Sequence, residues 1–219
     1  MIIDMHVHTE ISVDSLATVE EYCRIMQKYR QYHPFDGIVL TEHRTYHPEG
    51  AYEKIGEKYN ILILQGVEVD ADLGHLLLYG ITDRFLKRID VSHRGVDSEK
   101  VIKTINDCGG IAIPAHPFRD SNYGAALLEH DKALHEIEVV EELNGLNSHE
   151  ENEKAKALIK QNGLKGIGGS DSHFVTSKWF LNYATEFNNP IHTIEDLVKE
   201  LRHGEFRTTT LNSSVLGEF

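Results

Sequence analysis

The sequence predicts an α/β fold, a small barrel in which short strands alternate with helices. Apolar runs alternate with amphipathic helical patterns along most of the chain, which is typical of β-α units that build a parallel sheet. The length of 219 residues fits one domain, since α/β barrels of roughly 200–250 residues are common. No glycine-rich dinucleotide or phosphate-loop motif follows a predicted strand. We therefore expect a single domain over residues 1–219, built as a complete or incomplete (β/α) barrel.

The first half of the chain gives clear signals for the order of its elements. The apolar run at residues 2–7 predicts the first strand. Thr18 and Glu21 form a capping-box pattern that begins a helix, which should end before Pro34. Gly66 interrupts a long apolar run and predicts a bent strand, for which the next strand is a candidate hairpin partner. The predicted strands cover residues 2–7, 37–41, 61–69, 75–81 and 111–114, and the predicted helices cover residues 18–32, 49–58 and 98–108.

The second half continues the alternation of strands and helices. Ser148 and Glu151 form a second capping box, whose helix should end near Gly163. The acidic run at residues 136–142 is expected to contribute a solvated face. The predicted strands cover residues 136–140, 165–169, 183–187 and 206–211, and the predicted helices cover residues 148–162 and 193–203. The whole chain therefore supplies about seven core strands, most of them followed by a helix.

The composition restricts the classes of function. With 22 basic and 35 acidic side chains the net charge is −13, which argues against a protein that binds a long nucleic acid. A small phosphorylated substrate stays open, because bound metals can reverse the local charge. No apolar run approaches the roughly 18–20 residues of a membrane span, and the first residues do not resemble a secretory signal. Cys23 and Cys108 are expected as free thiols, so we expect a cytoplasmic protein without a membrane partner.

Histidine is over-represented, at 14 residues, and several histidines stand at predicted strand ends. His6 and His8 are two residues apart in an extended segment, so both imidazoles face the same side. Taken alone this pair is a weak signal, but the carboxyl ends of barrel strands converge on one face. Nitrogen and oxygen ligands without cysteine favour Zn, Mn or Fe. The further residues that would join the pair are Asp14, in a loop that can fold back over the strand end, His75, at the beginning of a strand, and the strand-end residues His43, Glu68, His116, Asp171 and His173.

The ordered motifs of the chain resemble the PHP (polymerase and histidinol phosphatase) superfamily. They are Asp4-x-His6-x-His8-Thr9, Thr41-Glu42-His43, Gly66-Val67-Glu68, His116-Pro117 and Gly169-Ser170-Asp171-Ser172-His173. The resemblance covers nearly the whole chain and implies a distorted (β/α)7 TIM-like barrel that holds two or three divalent metal ions and hydrolyses phosphate esters. It also implies nine metal ligands, which are His6, His8, Asp14, His43, Glu68, His75, His116, Asp171 and His173.

Three details qualify this resemblance. Glu42 stands where an Asp commonly precedes the histidine of the second motif. The spacing from His8 to Asp14 is longer than the usual short loop. Glu141, Glu142 and the pair Asn144-Gly145 resemble the strand-end Glu and Asn-Gly of the family, although a helix cap or a turn is the simpler explanation for the pair.

The function implied is a metal-dependent phosphoric ester hydrolase, a phosphatase acting on a small phosphate monoester through a multinuclear metal-activated water. Arg119 and Arg44 are candidate substrate-binding residues, because a guanidinium matches a phosphate bidentately. Arg119 is also a candidate catalytic residue, since it follows the His116 motif closely. His47, in the loop after His43, is a candidate catalytic proton donor, for which a metal-bound water is the alternative.

Two other functions remain as alternatives. An amidohydrolase-type metal hydrolase would also begin with His-x-His, but it usually needs a bridging lysine in the middle of the chain. A non-catalytic metal-bound regulatory module would be expected to have lost some ligand positions, and all nine are filled here. The oligomeric state is not determined by the sequence. The remaining histidines, other than His47, are expected to be solvated side chains, and they are His33, His93, His130, His135, His149, His192 and His203.

Overall fold

A mixed seven-stranded sheet forms the centre of the structure, a computed structural model that describes residues 1–32, 34–48, 50–119, 136–177 and 180–211. The strands of the described residues are β1 (Ile2–Val7), β2 (Gly37–Leu40), β3 (Leu62–Ala71), β4 (Gly74–Tyr79), β5 (Ile111–Pro114), β6 (Val139–Asn144), β7 (Lys165–Gly169), β8 (Tyr183–Phe187) and β9 (Phe206–Thr210). The main sheet has the order β5-β4-β3-β2-β1-β8-β9, and β6 and β7 form a separate pair.

Strand direction changes within the main sheet. The central strands β1, β2 and β3 are parallel, with Ile3 opposite Gly37 and Val39 opposite Leu64. On one side β4 is antiparallel to both β3 and β5, and on the other side β8 is antiparallel to both β1 and β9. The predicted hairpin is confirmed as β3–β4, whose two-residue connection is too short for a parallel crossover.

The pair β6–β7 brings the two sides of the curled sheet closer together. These strands are parallel to each other, and they lie against β5 on one side and β1 on the other. After β7 the backbone N–H of Asp171 donates to the carbonyl of His6 at 2.8 Å, and the N–H of His8 donates to the carbonyl of Ser172 at 3.0 Å. The loop that carries Asp171 is therefore fixed to the end of the strand that carries His6.

The predicted α/β class is confirmed, and the predicted barrel needs a correction. The described residues form a curled half-barrel, not a closed (β/α)7 barrel, and its sheet is mixed where a parallel one was expected. The reason is that an apolar run indicates a buried strand without indicating its direction, which depends on the length of each connection. The converging strand ends, on which the site prediction depended, are kept by β1, β2, β3 and β7.

Helices pack outside the sheet and begin at the residues that the capping signals indicate. Both predicted capping boxes are present, at Thr18 and Ser148, and Thr193 forms a third. The first helix ends at Tyr29, three residues before its predicted end. The helices are α1 (Val19–Tyr29), α2 (Glu53–Tyr59), α3 (Asp83–Leu86), α4 (Ser98–Asp107), α5 (His149–Asn162) and α6 (Ile194–His203). Within the described ranges, every helix is too short or too polar to cross a membrane.

Apolar side chains of the helices and the sheet form the core that holds the strands in place. Leu197 and Leu201 of α6 pack in one cluster with Met5 of β1. Cys23 of α1 is buried in another cluster beside Leu40 of β2. Burial raises the pKa of the Cys23 thiol to about 12, and both cysteines are free, as expected. The rigid layer that results leaves the polar strand ends as one edge of the fold.

Candidate metal centre

Glu68, on β3 three residues before the strand ends, lies among histidines from four other segments. Its Oε2 atom is 3.3 Å from Nε2 of His8 and 3.0 Å from Nδ1 of His43. Its Oε1 atom is 2.7 Å from Nδ1 of His75 and 2.9 Å from Nε2 of His116. Glu68 is only 1% exposed. One buried carboxylate therefore contacts imidazoles that are up to about a hundred residues apart in the sequence, His8 and His116.

Asp171 closes the other side of this group. The Nε2 atoms of His6 and His8 lie 3.0 Å apart, and Oδ1 of Asp171 is 3.5 Å from the first and 3.2 Å from the second. Nδ1 of His6 lies 2.9 Å from Oε1 of Glu141. A carboxylate on the far nitrogen of a metal-binding histidine fixes the tautomer and the orientation of the ring. Glu141 therefore orients His6 toward the centre of the group.

The loop after β1 adds Asp14 to the edge of the group. Its Oδ2 atom is 3.4 Å from Nε2 of His43 and 3.6 Å from Nε2 of His173. The Ser15 hydroxyl donates to the carbonyl oxygens of both His8 and His173, which holds this loop against the loop after β7. The structure thus brings all nine predicted ligands together, despite the long spacing between His8 and Asp14.

We call the buried and half-buried part of this group the histidine cluster. It comprises the six imidazoles of His6, His8, His43, His75, His116 and His173 together with Glu68 and Asp171.

Three residues at the site have a left-handed backbone that is unusual outside glycine. The φ angles are 54° at Arg44, 30° at His116 and 53° at Asp171. Such conformations cost on the order of 1–3 kcal/mol each and persist where the surrounding structure fixes them. The N–H of Arg44 donates to the carbonyl of Glu68 at 2.8 Å, and that of Asp171 donates to His6. Backbone strain is therefore concentrated where side chains are directed into the site.

Among the described residues, the buried carboxylates outnumber the Lys and Arg side chains that pair with them. Five carboxylates are at most 2% exposed, and they are Asp4, Glu42, Glu68, Glu141 and Asp171. Of the described Lys and Arg side chains, Arg119 pairs with one of these carboxylates. Its Nη2 atom lies 2.7 Å from Oδ2 of Asp171. Buried carboxylates are stable only when they are paired, hydrogen-bonded or bound to a cation.

The pKa values at the centre show how strongly it favours positive charge. Burial lowers the pKa of His8, but hydrogen bonds with Asp171 and Glu68 outweigh burial and raise the pKa to about 9. Burial alone would raise the pKa of Glu68, yet the charge of His6 and the neighbouring imidazoles hold that pKa well below its ordinary value. The centre therefore has a negative potential that suits a cation.

The geometry fits divalent metal ions. Four sets of three side chains each bring one ligand atom per residue to within 4.8 Å of one another. Nitrogen and oxygen donors of this kind suit Zn, Mn and Fe. The sets overlap, since each of His8, His43, Glu68 and His75 belongs to two of them. They are His6/His8/Glu68, Glu68/His75/His116, His8/His43/His173 and His43/Asp70/His75.

A cavity with a volume of about 360 Å³ opens onto the histidine cluster, and arginines border this cavity. Nη2 of Arg119 donates to Asp171 and to Asn144, both at 2.7 Å, and its Nε donates to Asn147 at 3.0 Å. Arg44 lines the same cavity, where its Nη1 donates to Oδ2 of Asp70 at 2.5 Å. Both predicted substrate-binding arginines are thus at the cavity, and their role remains a prediction.

His47 lies apart from the other predicted site residues. It is half-buried, its ring centroid is 6.4 Å from that of Tyr52, and it is not among the described residues that line the cavity. Its catalytic role stays a prediction. The other histidines behave as expected where they are described, because His93, His149, His192 and His203 are exposed. The predictions for His33, His130 and His135 lie outside the described residues.

The structure decides between two expectations for one site residue, and it adds Asp70 and Arg94, which the sequence analysis did not single out. Glu141 belongs to the acidic run expected on a solvated face, but it also resembles the strand-end Glu of the PHP superfamily. It is 1% exposed and accepts from the N–H of His116 at 2.6 Å, so the solvated face is wrong for this residue. The strand β6 runs to Asn144, beyond its predicted end, and this places Glu141 inside. Asp70 could have been found, since it is two residues after Glu68 on β3 and shares its side. Arg94 lies in a loop without a recognisable motif.

Comparison with known proteins supports the family resemblance. A model of the PHP-associated family matches residues 149–206. A two-domain protein from Bacteroides vulgatus, which contains a predicted PHP-like metal-dependent phosphoesterase, is similar in structure with a TM-score of 0.68 and 18% identity over 96% of this chain. The chain spans 65% of that structure. PsfC from Pseudomonas syringae gives a TM-score of 0.67 and 16% identity, covering 97% of this chain and 91% of PsfC. None of the curated proteins compared with the chain matches it in sequence.

A third similar structure corrects the expectation about nucleic acid. The lesion-specific endonuclease Q from Pyrococcus furiosus gives a TM-score of 0.64 and 14% identity, covering 94% of this chain and 57% of that protein. Endonuclease Q is also known in complex with a 27-mer DNA duplex with an abasic lesion at the active site. The exclusion of long nucleic acids from the net charge was therefore wrong. Net charge is a sum over the whole chain, whereas binding depends on the local field at the site.

Proposed function

We propose that this chain, a member of the PHP superfamily by its motif order, its PHP-associated segment and its fold, is a metal-dependent phosphoester hydrolase. One observation carries the proposal. A buried set of histidines and carboxylates with excess negative charge forms the floor of a cavity bordered by Arg44 and Arg119. Such a floor binds divalent metals, and guanidinium groups beside it bind the phosphoryl oxygens.

The side chains divide the work of holding the metals and the substrate. Bound divalent metals supply Lewis acidity toward phosphoryl oxygens and lower the pKa of water. His6, His8 and Asp171 converge on one side of Glu68, while His75 and His116 contact its other oxygen. Glu68 would therefore offer a ligand oxygen on each side, one beside His8 and the other beside His75 and His116.

Arg119 is placed to bind the phosphoryl group of the substrate. Its Nε and Nη2 atoms are held by Asn147, Asn144 and Asp171. The hydrogen bonds to the described residues come from Nε and Nη2, and we propose that Nη1 donates to a phosphoryl oxygen. The three contacts fix the guanidinium before substrate arrives, so little entropy is lost on binding. The pKa of Arg119 is raised, because the charge of Asp171 outweighs the effect of burial.

A small phosphate monoester is the substrate that we propose. The cavity of about 360 Å³ has the size of a site for a small molecule. The amidohydrolase alternative is less well supported, because no lysine is among the described residues that line the cavity. The non-catalytic alternative is less well supported as well, because all nine predicted ligands lie together.

The test combines elemental analysis of the purified protein with an activity screen. We expect at least two divalent metals per chain, since nine ligands exceed the four of one tetrahedral ion. The screen contains sugar phosphates, nucleotides, amino-alcohol phosphates, a single-stranded oligonucleotide, and amide and carboxylic ester substrates. Release of phosphate from small monoesters supports the proposal. Cleavage of only the oligonucleotide or only the amides assigns a different substrate class, and one metal or none contradicts the multinuclear centre.

A further inference from the structure

We infer that Arg44 and Arg94 form a subsite for a second anionic group of the substrate, on the side of the cavity where both contact Asp70. The inference rests on the proposed function, because it assumes that a phosphoryl group binds over the histidine cluster. It adds a substrate class to that function, namely phosphoesters that carry a further carboxylate or phosphate. Both arginines and Asp70 line the same cavity as Glu68 and Arg119.

Two guanidinium groups share the single carboxylate of Asp70. Nη1 of Arg44 lies 2.5 Å from Oδ2 of Asp70, and Nε of Arg94 lies 3.4 Å from the same oxygen. The other oxygen, Oδ1, is 3.6 Å from Nε2 of His75. Two positive charges around one negative charge leave a net positive rim. A further anion would complete this arrangement with the charge-assisted hydrogen bonds that guanidinium groups form.

Arg44 is held in position by its backbone. Its φ angle of 54° is unusual for a residue other than glycine, and its N–H donates to the carbonyl of Glu68 at 2.8 Å. An unusual backbone conformation fixed by surrounding contacts is a reason to infer function. The guanidinium contacts Asp70, in the cavity that the predicted metal ligand His43 also lines.

Arg94 is fixed on the rim by the loop that carries it. The N–H groups of Gly95 and Val96 both donate to the carbonyl of Asp70, at 2.7 and 3.2 Å. The side chain of Arg94 is 76% exposed. An exposed guanidinium on an anchored backbone is accessible to a ligand and costs little to reorient.

The choice of side chains around the cavity supports an anion as the ligand. Three of the nine arginines of the chain line this cavity, although the chain carries a net charge of −13. Arg119 is held by Asp171, whereas Arg44 and Arg94 are held by Asp70. Two separately anchored positive groups at one cavity fit a ligand with two negative groups. A monoester of a neutral alcohol would leave the Asp70 side without a partner.

The test measures binding by calorimetry with non-hydrolysable phosphonates and the metal-loaded protein. Phosphonoacetate, 3-phosphonopropionate and 4-phosphonobutyrate are each compared with the alkylphosphonate of equal carbon number. Arg94→Ala and Arg94→Glu are the test variants, because an exposed residue can be changed without loss of the fold. Arg88→Ala and Arg88→Glu are the matched controls, since Arg88 is exposed and pairs with Asp107 away from the cavity. Within each pair of ligands, the dissociation constant of the alkylphosphonate divided by that of the phosphonocarboxylate measures the contribution of the carboxylate.

We expect at least one phosphonocarboxylate to bind at least about tenfold more tightly than its alkyl partner, as charge-assisted hydrogen bonds imply. The preference should fall about threefold or more in Arg94→Ala, should disappear in Arg94→Glu, and should be unchanged in both Arg88 variants. Equal binding within every pair, or a preference kept in Arg94→Glu, overturns the subsite while the phosphoryl site stands. If no phosphonate binds at all, the proposed function fails together with the subsite.

One further titration identifies the source of the second anion. A pentathymidylate is added in the same assay to wild type, Arg94→Glu and Arg88→Glu. If it binds more tightly than every phosphonocarboxylate and loses affinity only in Arg94→Glu, the second anion is a neighbouring phosphate of a nucleic acid. Weaker binding than the best phosphonocarboxylate assigns the subsite to a small bifunctional phosphoester.

Discussion

Asp171 combines two roles at the scale of the single residue. One oxygen lies close to Nε2 of His6 and of His8, and the other accepts from Arg119 at 2.7 Å. The charge of Arg119 and the neighbouring imidazoles hold the pKa of Asp171 well below its ordinary value, although burial alone would raise it. The carboxylate therefore connects the predicted metal ligands to Arg119, the residue that we propose to bind the substrate.

Replacing Asp171 with Asn should therefore remove both functions while the volume is kept. We expect kcat/KM to fall by about 100-fold or more and the metal content to decrease, because ligand charge and the ion pair are lost together. Steady-state kinetics and elemental analysis measure the two effects. Asp107→Asn is the matched control, since Asp107 is half-exposed and distant from the cavity. Near-normal turnover in Asp171→Asn would show that Asp171 is not a ligand.

Arg119→Ala should separate substrate binding from metal binding. A lost charge-assisted contact of about 2–4 kcal/mol corresponds to roughly a 30- to 1000-fold decrease in kcat/KM. Arg119→Lys should recover little, because an ammonium group cannot reproduce contacts from both Nε and Nη2. Metal content is measured in parallel, with Arg202→Ala as a control for loss of a half-buried arginine. Unchanged kinetics with full metal content would transfer phosphate binding to Arg44 or to the metals.

At the scale of the element, the loop after β1 is fixed by the residue that departs from the family pattern. Glu42 accepts from the N–H and the hydroxyl of Thr9 and from the hydroxyl of Ser12. Ser12 Oγ lies 3.3 Å from Nδ1 of His8 and accepts from the N–H of His43 at 3.0 Å. The longer side chain of Glu42 thus reaches the loop and connects it to two ligands.

Shortening or neutralising the side chain of Glu42 should lower the stability of the fold, because the loop after β1 loses hydrogen bonds. Glu42→Gln keeps the length but loses a charged acceptor, and Glu42→Asp keeps the charge but is one methylene shorter. We expect each to lower the free energy of unfolding by about 1–3 kcal/mol, as hydrogen bonds to a buried charge imply. Urea denaturation measures the change, and Glu186→Gln on β8, paired with Arg207 on the surface, is the control. Equal stability of the Glu42 and Glu186 variants would contradict the role of Glu42.

At the scale of the whole molecule, the buried carboxylates connect metal binding to stability. Asp4 is fully buried, and desolvation raises its pKa to about 7 although Ser170 and His6 donate to it. Glu68 lies within β3, Glu141 lies within β6 and Asp171 follows β7, and these carboxylates add further negative charge. Ions bound among these groups stabilise the folded chain over the unfolded chain.

Removal of metal should therefore lower the thermal stability. A ligand at 100 times its Kd contributes about 2.7 kcal/mol, which corresponds to a decrease in Tm of roughly 5–10 °C for a chain of this size. Calorimetry of EDTA-treated and dialysed protein measures the decrease. Adding back Zn, Mn or Fe separately should restore Tm for the metal that fits. A Tm that EDTA and the three metals leave unchanged would contradict metal binding in the folded state.

The sequence by itself determined the α/β class, the helix starts at Thr18 and Ser148 and the set of nine candidate ligands. Local features determine the class and the helix starts, since apolar periodicity and capping need only near neighbours. The candidate ligands come instead from the resemblance of the ordered motifs to a known superfamily. Motif order then placed the ligands at strand ends. These features do not depend on how the strands pair.

Only the tertiary structure decided which way the strands run, that Glu141 is buried against His6, and that Arg94 meets Arg44 at Asp70. Each depends on contacts between segments that are distant in the sequence, and no local pattern encodes them. Strand direction follows from connection length, and burial of a charged residue follows from what packs over it. Arg94 reaches the cavity because backbone hydrogen bonds join its loop to β3, a contact that only the folded chain contains.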